Sequence, residues 1–281
     1  MLFGSALVVI LGCSTAQLES ATDGAPPSSP EQRLAFALNA AANYSFRIGN
    51  RDASAVKLHR EPVLRWNNKV VREDDGMLFL WTEGDKGRPV AAAQFFVVDS
   101  DWHHEFQSLS QDRFDVRFAG DAGRWSWQPD RPGVELARAD GIDPPAGSAT
   151  QRLRQMKSIA ERFSAAVDRN DNFNSPEQLR LLTTPVYRYS APDQGIADGA
   201  LFAFVQGTNP EVLILIEAFE GDPAVRSWRY GFARMSSFNL RVQRENRVVW
   251  RRDREDVPTR DLTSPYHFRM RAERDGSASL K

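Results

Sequence analysis

Residues 58–84 and 181–207 follow one ungapped pattern, and this internal repeat constrains the fold of the 281-residue chain more than any other feature. A shift of 123 positions makes nine of the 27 aligned residues identical, whereas ordinary residue frequencies give roughly one or two matches. The identical pairs are Leu58/Leu181, Pro62/Pro185, Val63/Val186, Arg65/Arg188, Asp75/Asp198, Gly76/Gly199, Leu78/Leu201, Phe79/Phe202 and Gly84/Gly207. The same shift aligns Arg124, Trp127, Asp130, Arg131 and Val134 with Arg247, Trp250, Asp253, Arg254 and Val257. The sequence therefore predicts two tandem units of one architecture.

Composition indicates a globular protein without a strong electrostatic field. Hydrophobic residues make up 41% of the chain, which is enough to fill a core. The 36 Lys and Arg residues nearly balance the 37 Asp and Glu residues, so the net charge is -1. A balance of this kind supports neither nucleic acid nor an acidic lipid surface as a partner.

An apolar N-terminal stretch ends at Cys13, the only cysteine of the chain. The run Ile10, Leu11, Gly12 and Cys13 resembles the lipobox of bacterial lipoproteins, which implies cleavage before Cys13 and a diacylated membrane anchor. Cleavage after Ala16 would instead release a freely secreted protein, and a plain apolar N-terminus is the third alternative. The run is too short to span a bilayer, which needs about 20 residues. We expect export to the periplasm or cell envelope, with lipidation at Cys13.

Each unit begins with a helix signal. Ser29 and Gln32 form a capping box around Pro30, and the apolar stripe Leu34, Leu38, Ala41, Tyr44 follows. In the second unit Ser148 lies three residues before Gln151, and the stripe is Leu153, Met156, Ile159, Ala160, Phe163, Val167. A further cap signal at residues 175–178 predicts a short helical turn.

After each helix the apolar period becomes that of β-strands. The strand signals are 63–66, 77–82, 90–98, 102–110, 114–118 and 124–127 in the first unit, and 186–189, 200–206, 212–219, 228–236, 238–243 and 247–250 in the second. The predicted fold class is α+β. Each of two tandem duplicated units has one helix and five or six antiparallel strands, and we expect their sheets to join into one curved sheet or open barrel, because a lone unit would leave a sheet face uncovered.

The repeats set the predicted domain boundaries. They are a signal peptide or lipobox at 1–16, a flexible tether at 17–30, the first unit at 31–140, a linker at 141–149, the second unit at 150–257 and a charged, partly disordered tail at 258–281.

The strings at residues 198–208 (DGALFAFVQGT) and 102–109 (WHHEFQSL), behind the lipobox-like start, resemble an uncharacterised family of exported bacterial proteins. The resemblance covers most of residues 31–257. No activity is assigned to that family, so the resemblance implies export and supplies no catalytic residue.

The one candidate for chemistry lies where the two units differ. His103, His104 and Glu105 stand where the second unit has Arg229, Tyr230 and Gly231. On a strand His103 and Glu105 share one face and His104 takes the other, so a histidine base held by a carboxylate is possible if these side chains line a groove. The alternative is that they are structural residues of a sheet edge.

The polar residues present in both units favour a structural interpretation. Arg65/Arg188, Asp75/Asp198, Arg124/Arg247 and Asp130/Asp253 recur at equivalent places. A residue that both units need is expected to hold the unit together, for example an arginine bound to a turn carboxylate. A paired ligand site is the alternative.

No nucleophile elbow, phosphate-binding loop, dinucleotide fingerprint or metal-ligand spacing occurs, so no cofactor or metal is predicted. Two functions from different classes remain. The first is a non-enzymatic exported or lipid-anchored envelope protein that binds a protein partner, or an apolar ligand in a groove between the units. The second is an exported hydrolase-like enzyme that uses His103, His104 and Glu105.

Overall fold

The computed structural model describes residues 29–49, 56–68, 73–98, 101–119, 125–170, 173, 175–222 and 225–271. These residues form two α-helices and a large set of antiparallel strands, in agreement with the predicted elements. Helix α1 spans Pro30–Ala42 and α2 spans Ala149–Ala160. The predicted capping box is confirmed, because the hydroxyl of Ser29 accepts from the Gln32 N–H and the Ser29 N–H donates to Oε1 of Gln32.

The strands alternate in chain order with short turns. Those of the first half of the chain are β1 (Tyr44–Ile48), β2 (Val56–Leu58), β3 (Leu64–Asn68), β4 (Glu73–Glu83), β5 (Pro89–Val98), β6 (Asp101–Ser108), β7 (Phe114–Phe118), β8 (Ser126–Trp127) and β9 (Ala137–Arg138). Those of the second half are β10 (Phe163–Asp168), β11 (Glu177–Leu181), β12 (Tyr187–Ala191), β13 (Ile196–Gln206), β14 (Asn209–Asp222), β15 (Val225–Arg234), β16 (Asn239–Arg244), β17 (Arg247–Arg252) and β18 (Tyr266–Arg271).

The described strands build three sheets. A small sheet has the order β1-β7-β8, and a six-stranded sheet has the order β18-β6-β5-β4-β2, with β3 also paired to β4. A nine-stranded sheet has the order β17-β16-β10-β11-β13-β14-β15-β9, with β12 also paired to β13. The expectation of one continuous sheet is therefore wrong for the described residues, because the two large sheets pack against each other through their faces.

Three apolar layers hold this arrangement together. The central core, between the six-stranded and nine-stranded sheets, contains Leu78 and Ala92 from one sheet and Leu201 and Leu213 from the other. A second layer joins α1, the small sheet and the opposite face of the six-stranded sheet. A third layer packs α2 against the other face of the nine-stranded sheet, which curls around it. The central strands of each large sheet are thus buried on both faces, which explains the long apolar run in β14.

The two halves of the chain exchange strands. Strand β9 follows β8 in the chain but pairs with β15 of the second half, through Tyr230 and Ala137. Strand β18 follows β17 but pairs with β6 of the first half, over the whole span from Tyr266 to Arg271. The segment before β9 approaches β15 closely, because a Cβ on Gly231 would lie only 2.4 Å from Cγ1 of Val134. Each half therefore completes the edge of the sheet that the other half builds.

Three local predictions are corrected. Phe163 and Val167 belong to β10, and Tyr44 to β1, because apolar residues at 163, 165 and 167 also fit the alternation of a strand. The cap signal at 175–178 precedes strand β11 instead of a helical turn. The segment 258–281, expected to be a charged and partly disordered tail, contributes β18 to the six-stranded sheet. Neither helix of the described residues has the length and hydropathy that a membrane span requires.

Candidate functional site

His104 lies in the apolar layer between α1 and the six-stranded sheet. Its side chain is fully buried and its ring stacks on Phe95, with ring centroids 4.0 Å apart. Nδ1 of His104 is 2.8 Å from the hydroxyl of Tyr44. Arg269 donates to the same hydroxyl at 3.4 Å, so the Tyr44 hydroxyl joins His104 to a residue of β18. This histidine therefore belongs to a packed hydrogen-bonded cluster within the layer.

His103 and Glu105 face the central core, on the opposite side of β6. The His103 ring stacks on Phe96 with centroids 5.5 Å apart. Glu105 is 4% exposed and its Oε1 accepts a 2.5 Å hydrogen bond from the hydroxyl of Tyr266 on β18. The alternation of β6 thus separates the three candidate residues into two layers, as the strand pattern predicts. Within the described residues they do not form one solvent-accessible constellation.

Tyr266 connects Glu105 to the second half of the chain. The guanidinium of Arg234 lies over the Tyr266 ring, 4.5 Å from its centroid. Burial raises the pKa of Tyr266 well above its usual value, and the nearby carboxylate of Glu105 raises it further. The phenol therefore stays protonated and acts as a hydrogen-bond donor to the buried carboxylate.

A second buried polar cluster surrounds Glu217 on β14. The Glu217 side chain is fully buried and accepts hydrogen bonds from three residues: Arg88 Nε at 2.8 Å, the Tyr189 hydroxyl at 2.8 Å and Arg229 Nη2 at 3.1 Å. Arg88 comes from the turn between β4 and β5, so this ion pair joins the two halves. Burial by itself lowers the pKa of Arg88, but the carboxylate of Glu217 raises it above the ordinary value. Arg88 is therefore charged inside the core.

Two matching clusters tie each helix to its hairpin. Asp75 accepts from Nε of Arg33 on α1 at 2.9 Å and from Nη2 of Arg65 on β3 at 2.6 Å. In the second half Asp198 accepts from Nε of Arg152 on α2 at 2.9 Å, and Arg188 binds both of its carboxylate oxygens. The predicted bonds Arg65–Asp75 and Arg188–Asp198 are thus present, and each carboxylate links the first turn of a helix to two strands.

The other matched polar residues take different positions. Asp130 pairs with Arg131 and Asp253 with Arg251, and both pairs lie on the surface. Arg124 and Cys13 lie outside the described residues.

An open cleft of about 300 Å³ adjoins the Asp75 cluster. It is lined by Pro30, Arg33, Arg65, Trp66, Asn67 and Asp75. Both arginines at this cleft are already bonded to Asp75, and Nη2 of Arg65 also donates to the Pro30 carbonyl. The cleft is therefore a surface recess beside a structural ion cluster.

His267 on β18 should make stability depend on pH. It is 2% exposed, its Nδ1 is 2.7 Å from Oγ1 of Thr259, and burial followed by the positive charge of Arg269 lowers its pKa to about 4. Because a free histidine titrates near 6.5, the unfolded state binds a proton before the folded state does. The stabilisation is complete above pH 6.5 and is lost as the pH falls towards 4, by about 3 kcal/mol in total.

Urea unfolding at several pH values between 7.5 and 4 checks this expectation. The variant His267→Gln should lose less stability than the wild type over that interval, whereas His59→Gln, at a partly exposed histidine, should follow the wild type. Parallel curves for wild type and His267→Gln would contradict the assignment.

Sequence reasoning did not find Glu217, Arg88 or Tyr266 as key polar residues. Glu217 could have been noticed, since it is the one charged residue in the run 212–219. Its partner Arg88 has no local signal, because it lies in a turn 129 residues away.

No metal site or known relative adds to this description. The described residues contain no cluster of three or more His, Cys, Asp or Glu side chains that could hold a metal ion. No protein-family model, curated protein or solved structure matches the chain.

Proposed function

We propose that the protein is a non-enzymatic envelope protein, exported and lipid-anchored at Cys13, that binds a protein partner. The position of its exposed apolar side chains carries this proposal. Val248 and Val249 are 53% and 42% exposed and are neighbours on β17, the terminal strand of the nine-stranded sheet. Exposed apolar residues on an unpaired edge strand are typical of a surface that a second chain covers.

Burial of the candidate residues favours binding over catalysis. A hydrolase needs its base to reach a substrate, and His103, His104 and Glu105 are 9%, 0% and 4% exposed. Glu105 is bonded to Tyr266, and His104 contacts the Tyr44 hydroxyl. These contacts support a structural role for all three residues.

Packing between the sheets favours a protein partner over an apolar ligand. The groove expected between the units would have to lie where the central core lies. That layer is filled by large side chains such as Trp66, Phe96 and Tyr189, which are nearly or fully buried. The surface of the molecule is therefore the better candidate for recognition.

A tandem duplication underlies this architecture in our proposal. The Asp75 and Asp198 clusters use an arginine from the helix and an arginine from the next hairpin in both halves. The exchange of β9 and β18 is reciprocal between the halves. Because each half contributes one strand to a sheet of the other half, the arrangement supports the repeat that the sequence predicts.

Mass spectrometry of the mature protein tests export and lipidation. Expressed in a bacterium that processes lipoproteins, the wild-type chain is expected to begin at Cys13, to carry a diacylglyceryl group and to sediment with membranes. The variant Cys13→Ser is expected to lose the lipid and the membrane association, because serine has no thiol to acylate. A mature chain that begins at Gln17 would contradict the lipid anchor, and an intact Met1 would contradict export.

Partner binding needs a separate measurement in cells. A photo-crosslinking residue placed in turn at several exposed positions on different faces, including Val248, Lys57 and Arg138, should capture a protein from at least one face. Crosslinks from no face would overturn the binding proposal.

A further inference from the structure

Strand β17 has one paired side and one open side within the described residues. It pairs with β16 from Arg244↔Arg247 to Leu240↔Arg252, and it is the last strand of its sheet. Val249 is the extra residue of a β-bulge in β17, because Val248 pairs with Gln243 and Trp250 with Val242. Both valines are exposed. Trp250 points the other way and packs on Phe232. The inner face of β17 is thus anchored, while its edge and the two valines are available.

The first half of the chain contains the counterpart of this edge, and there it is covered. Trp127 on β8 corresponds to Trp250 under the 123-residue shift. The N–H groups of Gln128 and Asp130 donate to the carbonyls of Leu262 and Thr263 at 2.8 and 3.0 Å. Nε1 of Trp127 donates to the carbonyl of Ser264 at 2.8 Å. The turn at residues 262–263 and the bend that follows it therefore lie beside the end of β8, and Trp127 is fully buried.

The charge of the β17 edge indicates which kind of strand can bind there. Residues 239–254 contain six arginines and two carboxylate residues, although the whole chain carries a net charge of -1. A second copy of β17 would bring arginine against arginine, so self-pairing is disfavoured. An acidic strand would place carboxylates beside Arg247, Arg251 and Arg254.

We propose that the β17 edge is a docking site for an extended, acidic strand of a partner protein, which adds to the nine-stranded sheet and covers Val248 and Val249. This inference rests on the proposed partner-binding function and on the proposed duplication. Main-chain hydrogen bonds supply the general affinity, and the arginines select acidic side chains. The valines add apolar contact on the exposed side of the strand.

A labelled peptide tests the proposal on the full-length protein. The probe is a short fluorescein-labelled peptide in which Glu alternates with Val, and its binding is followed by fluorescence anisotropy. We expect saturable binding, together with slower hydrogen exchange of the amides of residues 247–252. A peptide with Lys in place of Glu, and one with Pro in place of alternate Val, should not bind, because the first repels arginine and the second cannot pair as a strand.

Charge reversal identifies the edge. The double variant Arg247→Glu/Arg251→Glu should weaken binding at least about tenfold. The matched control Arg138→Glu lies on β9, the opposite edge of the same sheet, and should leave binding unchanged. Circular dichroism of all variants verifies that the fold is kept.

Several results would overturn the inference. They are no binding of the acidic peptide, equal binding of the Lys or Pro peptides, or equal loss in Arg138→Glu. Protection, in the protein without peptide, of the β17 amides on the side away from β16 would also overturn it. Crosslinks from Lys57 or Arg138 that persist while the peptide fails would remove this docking site and keep the partner-binding function. Absence of every crosslink would remove the function itself.

Discussion

The variant Glu217→Gln is expected to lower the free energy of unfolding by about 3–5 kcal/mol, because it leaves the buried guanidinium of Arg88 without its carboxylate. Arg88 is 5% exposed, so its cation cannot be hydrated without opening the contact between the sheets, whereas Arg229, which also bonds to Glu217, is partly exposed. A neutral amide keeps the volume of the side chain but removes the charge. Urea unfolding at neutral pH, followed by circular dichroism and tryptophan fluorescence, measures the loss.

The same strand offers a matched control. Glu220 on β14 pairs with Arg226 at 3.1 Å, but both side chains are well exposed. Glu220→Gln should therefore behave like the wild type, since exposed ion pairs contribute little. The double variant Glu217→Gln/Arg88→Met should regain part of the lost stability, because it removes one of the unpaired cations. A Glu217→Gln variant as stable as Glu220→Gln would show that the cluster is not a stabilising contact between the halves.

The variant Tyr266→Ala is expected to lower the free energy of unfolding by about 3–5 kcal/mol, the usual cost of removing a large aromatic side chain from a core. Tyr266 is 2% exposed, packs in the central core and supplies the hydroxyl donor to Glu105. Truncation therefore opens a cavity and strips a buried carboxylate of a hydrogen bond. The same unfolding experiment measures the loss.

Tyr266→Phe separates the two contributions. It keeps the ring and should cost about 1–3 kcal/mol through the loss of the hydrogen bond to Glu105. Tyr230→Phe is the control, because the described residues contain no hydrogen-bond partner for the Tyr230 hydroxyl. In a Glu105→Gln background, Tyr266→Phe should lower the free energy of unfolding by less than it does in the wild type. An equal cost in both backgrounds would mean that the hydroxyl does not act through Glu105.

Local pattern was enough to predict the helices and most hairpins. The capping box at Ser29 and Gln32 marks the start of α1, and the apolar runs predict the cores of the long strands β4 and β13. Asp75–Gly76 and Asp198–Gly199 have the composition of turns, but they lie inside these strands, so a turn prediction at either place is wrong. The helices and hairpins depend on residues close in the sequence. They can therefore be predicted from the local sequence.

Long-range pairing was harder to predict, because its signals are weak or mixed. Tyr266, Phe268 and Met270 alternate as a strand requires, but His267 and two arginines between and after them gave the segment the composition of a charged tail. Strand β9 is only two residues long and has no pattern at all. The placement of His103 against Phe268 and of Glu105 against Tyr266 depends on β18, so the burial of these residues could not be predicted without that strand.

The pairing of β18 with β6 also fixes when the protein can fold. Glu105 gains the hydrogen bond from Tyr266 only when a residue 161 positions later has been made, so the first half of the chain stays incomplete until β18 has left the ribosome. Contacts of such separation form slowly. A chain shortened before β18 is therefore expected to leave β6 with an open edge and Glu105 without this donor.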